Sequence, residues 1–170
     1  TVLFPETQFN LGLTYSLMGI HDSAMTSMNL AIELFERAER KHDLFDSYTA
    51  MGDIFYNGAS YNRALEKYSL ANFISYEIAD TNRILKGLAN MADVYYSLKS
   101  FRNSASYSRK IQVFRLVDVE GIGAYLVRSY MNLGDCEFEG GKFNTAYEYY
   151  EKAIEEAENF NLEERKALAE

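Results

Sequence analysis

Two pairs of polar residues recur at a fixed spacing in this sequence: Asn90 with Asp93, and Asn132 with Asp135. Asn10 and Asp53 each supply half of the same pattern, beside Leu13 and Ala50. A separation of three residues puts both side chains on one face of a helix. An asparagine amide donates and accepts together, so it matches a peptide group, and an aspartate takes a basic side chain or an amide proton. That is the chemistry of holding an extended chain by hydrogen bonds.

Groups suited to making or breaking bonds are scarce. The sequence has no glycine-rich phosphate loop, no His-Glu-x-x-His and no Cys-x-x-Cys. Of the two histidines, His21 stands where other segments carry Tyr or Phe, which points to packing, and His42 sits in a Lys-His-Asp turn facing solvent. Cys136 lies between Asp135 and Glu137, whose charges would raise a thiol pKa, so it is a poor nucleophile. No carboxylate pair is set apart for acid–base work. The expectation is a non-enzyme without metal or cofactor.

A formal charge of −8 argues against a nucleic-acid surface, which needs clustered Lys and Arg to neutralise phosphates. With 48% apolar and 25% charged residues the chain has globular rather than disordered composition. No apolar run approaches the roughly 20 residues of a membrane span. A single cysteine rules out an internal disulfide and gives no sign of an oxidising compartment. The start, Thr-Val-Leu-Phe-Pro, has neither an initiator Met nor a secretory pattern. The expectation is a soluble, cytoplasmic part of a longer protein.

What positions the polar pairs is an internal repeat. Small residues Gly12, Gly52, Ala92 and Gly134 recur, and a second small column, Ala24, Ala64, Ser104 and Ala146, follows twelve positions later. Leu11, Met51, Met91 and Leu133 precede the first column; Tyr15, Phe55 and Tyr95 lie three after it, with Glu137 as the exception. Tyr61, Phe101 and Phe143 form an aromatic column that has His21 in the first repeat. Met28, Tyr68 and Tyr150 form another, with Ser108 in the third. Ala31, Ala71, Ile111 and Ala153 close each unit.

Apolar positions spaced by three, four and seven give each unit two amphipathic helices. The predicted helices are 5–18 and 21–38, 42–57 and 61–78, 82–98 and 101–116, 120–139 and 143–159. Met18-Gly19, Asn57-Gly58 and Gly140-Gly141 mark turns within pairs, and Asp80-Thr81-Asn82 offers caps for the fifth helix. Asn161, followed by Glu163 and Glu164, predicts the start of a further helix over 161–170 that caps the last pair.

These columns resemble the tetratricopeptide repeat signature, best in the second unit: Met51, Gly52, Phe55, Ala64, Tyr68 and Ala71. The resemblance implies an all-α fold, a right-handed α-α superhelix or solenoid of four helix pairs plus a capping helix. The whole would be a single domain with repeats over about 5–40, 42–80, 82–118 and 120–160. The usual repeat is about 34 residues; six more residues amount to about 9 Å of extra helix per unit. No unit has the terminal Pro. Long repeats of this kind are similar to scaffolds of the LGN and kinesin-light-chain type and to peptide-pheromone receptors of the Rap and PlcR type.

In such arrays the first helix of each pair lines a concave groove, and the resemblance places Asn10, Asp53, Asn90, Asp93, Asn132 and Asp135 in it. Tyr56 and Tyr96, with Phe138, would add apolar contact one turn on, and Arg83, Lys86 and Arg128 would hold a carboxylate. The same Asn and Asp residues can instead be solvated or link adjacent repeats by hydrogen bonds. The chaperone-tail clamp is absent, because Phe9 and Leu13 stand where it needs Lys and Asn. The expected function is a peptide- or protein-binding scaffold whose partner segment carries basic residues, with no nucleic acid and no membrane. The alternatives are the sensor half of a pheromone-controlled regulator or phosphatase, and a homo-oligomerisation module.

Overall fold

The computed structural model describes residues 4–117, 119 and 121–167, with side chains through Phe160. Among the described residues eight α-helices follow one another: α1 (Pro5–Leu17), α2 (His21–Arg37), α3 (Lys41–Asn57), α4 (Tyr61–Glu77), α5 (Thr81–Ser97), α6 (Phe101–Gln112), α7 (Ile122–Glu139) and α8 (Phe143–Ala167). One 3-10 turn spans Val113–Leu116, and no strand occurs among the described residues. The four helix pairs expected from the columns are present. One expectation fails at the C-terminal end. Helix α8 runs unbroken through Ala167, so Asn161 continues a helix where a new one was predicted. Residues 168–170 of the predicted cap lie outside the described residues.

Helices α2 to α5 each have 17 residues and are separated by three-residue turns, so a new helix starts every twenty residues at 21, 41, 61, 81 and 101. The turn chemistry is shared. The amide closing each turn bonds back to the last helical turn: Ile20 to Tyr15 (2.8 Å), Arg40 to Phe35 (3.0 Å), Ser60 to Phe55 (2.8 Å), Asp80 to Ser75 (3.3 Å), Ser100 to Tyr95 (2.9 Å) and Lys142 to Glu137 (2.9 Å). This is the Schellman closure, and it requires a left-handed residue one position earlier. Gly19 and Gly141 fill that position at φ 73°, but Glu39, Ala59, Ala79 and Lys99 adopt φ 53–56° without being glycine. In the Asn57-Gly58 turn the left-handed residue is therefore Ala59 rather than Gly58. The α6–α7 connection breaks the rule. There α6 gives way to the 3-10 turn, and Gly121 at φ 75° re-enters helix.

The chain divides into two compact units, residues 1–80 and 81–170. In the first, α1 packs on α2 and α3 on α4, while α3 also meets α1 and α2. In the second, α5 packs on α6 and α7 on α8, and α7 touches both α5 and α6. The small columns set these approaches. A Cβ on Gly52 would lie 2.4 Å from the Tyr68 ring, one on Gly134 2.5 Å from the Tyr150 ring, and one on Gly12 2.7 Å from Met28. The third pair has Ala92 in this column, and there the facing residue is Ser108, small enough to admit the methyl. Buried Leu85, Leu88, Ile111 and Leu126 form one core cluster of the second unit; Tyr130, Leu133, Cys136 and Ala153 form another.

Candidate functional site

The expected ladder residues divide into three kinds of environment. Asp53 and Asp135 are engaged within their own helix pairs: the Tyr68 hydroxyl donates to Asp53 at 2.6 Å and the Tyr150 hydroxyl to Asp135 at 2.8 Å. Both spans are fifteen residues, so the second helix of the pair ties back onto the first. In the third pair Ser108 replaces the tyrosine, and Asp93 turns to a different partner.

That partner is Arg128. Its Nε lies 3.0 Å from Asp93 Oδ2 and its Nη2 reaches the same oxygen, with Asn90 Oδ1 3.4 Å away. The contact joins α5 to α7, the first helices of consecutive pairs. Arg128 remains 42% exposed and Asp93 28% exposed at their side chains, while Asn90 is buried beneath them. Lys86 is exposed one turn before Asn90, and Arg83 is half-buried at the first turn of α5. Tyr125, half-buried beside Arg128, has its hydroxyl pushed up by burial, with the Arg128 charge opposing. Tyr96 lies near Asp135 and Glu139 of α7; burial first, then those charges, push its hydroxyl up.

Asn132 was expected to face a groove, and the structure places it in the interior instead. It is 7% exposed, and its side-chain oxygen accepts from the Ser104 hydroxyl at 2.7 Å and the Ser108 hydroxyl at 2.9 Å. The Cys136 thiol lies 3.7 Å from the same atom, and Ser104 also lies 2.8 Å from the Ala92 carbonyl. Ser104 and Ser108 stand on one face of α6, so Asn132 locks α7 onto the preceding pair. The sequence held a signal for this: Ser104 interrupts an otherwise Ala column, and Ser108 is the one small residue in a column of Met28, Tyr68 and Tyr150. On α7 the exposed neighbour is Met131, which sequence reasoning passed over.

The aromatic residues expected to supply groove contact are used differently. Tyr56 packs on Tyr61, Tyr96 on Phe101 and Phe138 on Phe143, with ring centroids 5.3–5.5 Å apart. Each pair clasps the turn between its two helices. The first repeat has Ser16 and His21 at these positions, so no clasp forms and His21 is exposed rather than packed. Asn10 is exposed on α1, where its carbonyl accepts from Thr14. His42 is 62% exposed, 4.0 Å from Asp80. The Cys136 thiol is pushed up chiefly by burial, against a bond from Ser104 and with Asp135 and Glu137 adding to the rise.

Among the described residues no group of three or more His, Cys, Asp or Glu is arranged to hold a metal ion, and no helix is long and apolar enough to cross a membrane. Stacked antiparallel pairs, close-packed through small residues and joined by a polar seam between first helices, define the class of helical-repeat scaffolds, a fold that suggests a protein-interaction module. The tetratricopeptide repeat model matches residues 5–37 and 127–160, the first and last helix pairs. No curated protein sequence matches the chain. Among solved structures, the chain is similar to BtubC (BKLC) from P. vanneervenii, with a TM-score of 0.79 at 19% identity over 92% of this chain and 64% of that one. It thus spans less than two thirds of that protein's length. It is also similar to MamA, with a TM-score of 0.68 at 20% identity over 91% of this chain and 79% of that one.

Proposed function

We propose that the α5–α7 seam binds an extended peptide or protein segment. The observation that carries this reading is the side-on geometry of Arg128 against Asp93. Both guanidinium contacts with Asp93 go to Oδ2, and the third goes from Nη2 to Asn90, so Asp93 Oδ1 and Arg128 Nη1 have no protein partner among the described residues. One open acceptor beside one open donor matches the N–H and C=O of a peptide group. Lys86 and Met131 flank the pair with an exposed charge and an exposed apolar side chain. Panning a peptide library against the chain, followed by calorimetric titration of the selected sequences, tests it. Asp93→Ala and Arg128→Ala each weaken binding about tenfold, the loss of one charge-assisted contact. Unchanged affinity in both variants overturns the assignment.

A second reading, self-association, is favoured by the open faces of the first and last helices. Leu11 is 37% exposed although its column mates Met51, Met91 and Leu133 are at most 3% exposed. Ile154 on α8 is 60% exposed where its counterpart Ile32 on α2 is 8%. Light scattering of the wild type and an Ile154→Glu variant tests this; a monomer at all concentrations rejects it.

A further inference from the structure

Between α2 and the α3–α4 turn of the first unit lies a cavity of about 410 Å³, within the roughly 300–1,000 Å³ of small-molecule sites. Met25, Ile54 and Phe55 form its apolar part. Asp22 and Asn29 of α2 line one side, and Ser60 and Arg63 line the other. Arg63 lies over the Phe55 ring, 4.0 Å from its centroid, so one guanidinium face is held by cation–π contact. Among the described residues the side chains of Asp22, Asn29 and Arg63 form no hydrogen bond or ion pair within the protein.

The second unit shows what the same place looks like when the chain fills it. At the positions matching Asn29, Phe55 and Ser60 stand Arg109, Glu137 and Lys142. Glu137 bridges them, 3.8 Å from Arg109 and 3.0 Å from Lys142. Thr145 replaces Arg63 there. The first unit lacks that bridge and instead turns Arg63 and Asp22 to the space with no hydrogen-bonded partner among the described residues, Arg63 feeling only the more distant charge of Glu66 on its own helix.

We propose that this cavity binds a small zwitterion with an apolar body, an apolar amino acid or a dipeptide. Its carboxylate pairs with Arg63, its ammonium with Asp22, and its side chain rests on Met25, Ile54 and Phe55. Charges of both signs around an apolar floor select against simple acids and simple amines alike, because each would leave one partner unmatched. This site is separate from the α5–α7 seam and does not depend on it.

The test is titration of the 15N-labelled 170-residue chain with L-phenylalanine and leucyl-leucine, each alongside its carboxamide and its N-acetyl derivative. The expected result is amide shifts confined to residues 21–29 and 54–63, with both blocked forms at least about tenfold weaker. Arg63→Gln abolishes the preference for acid over carboxamide, and Asp22→Asn the preference for free amine over acetyl. Both side chains are exposed, so the variants keep the fold, which circular dichroism verifies. No binding below about 10 mM, shifts centred elsewhere, or equal affinity for the blocked forms overturns the proposal.

Discussion

The Tyr68 hydroxyl reaches the Asp53 carboxylate at 2.6 Å while its ring lies against Gly52, so one side chain satisfies a polar contact and fixes a helix–helix distance together. Tyr150 repeats the arrangement on Asp135 and Gly134. Where the tyrosine is replaced, by Ser108, the glycine has become Ala92 and the aspartate has been released to Arg128.

Gly52→Ala therefore destabilises the chain even though alanine is the better helix former. The added methyl would sit 2.4 Å from a ring that is 4% exposed and has nowhere to move, a cost of about 1–3 kcal/mol. In a Tyr68→Ser background the same change costs less, because the ring is gone. A double-mutant cycle by urea denaturation measures the coupling; equal costs in both backgrounds contradict it.

Asn132→Ala removes the acceptor shared by the Ser104 and Ser108 hydroxyls and strands the buried Ser108, since Ser104 keeps the Ala92 carbonyl, at about 1–3 kcal/mol. Replacing all three residues with alanine recovers part of the loss, since the stranded group is then removed. If the triple variant is no more stable than the single one, the hydrogen-bond cluster is not the cause.

Ala59→Gly stabilises. Left-handed backbone costs a non-glycine residue about 1–2 kcal/mol, and glycine's greater freedom in the unfolded chain returns about 0.5–1 kcal/mol of that. The net gain is about 0.5–1 kcal/mol, visible as a melting point higher by about 2 °C. Ala59→Val at the same φ of 54° lowers it.

The alkaline limb of stability reports two tyrosines. Burial first, then bonds and charges from Glu36 and Asp135, push the Tyr48 and Tyr150 hydroxyls from 10.0 to about 12. The fold thus favours the protonated form. Their contribution is intact below pH 10 and is lost as pH climbs through about 12. Tyrosinate absorbance should show both titrating late in the folded chain, and Tyr150→Phe should flatten the fall in stability. A titration with all tyrosines near the ordinary value contradicts this.

The helices and their pairing were legible because close packing forces small residues to recur in register, and aromatic residues fill the rest. Helix starts at 21, 61, 101 and 143 agree with the expected positions. The turns were not legible in the same way, since hydrogen-bond closure imposes left-handed backbone on Glu39, Ala59 and Lys99 regardless of residue type. Nor was the fate of the Asn column. Asn90 and Asn132 look alike in sequence, yet what each does is decided by the residue packed over it, Arg128 in one case and Ser104 with Ser108 in the other. Those partners lie 24–38 residues away, beyond the reach of local pattern.

The uniform three-residue turn has a consequence for how such a chain can change length. Because every block from His21 to Ser100 is one 17-residue helix and one three-residue corner, loss or gain of twenty residues keeps the corners but exchanges the first and second members of every later pair. Forty residues restore the alternation. Duplication or slippage is thereby quantised: steps of a whole pair keep each small-residue column against its partner helix, and steps of one helix do not.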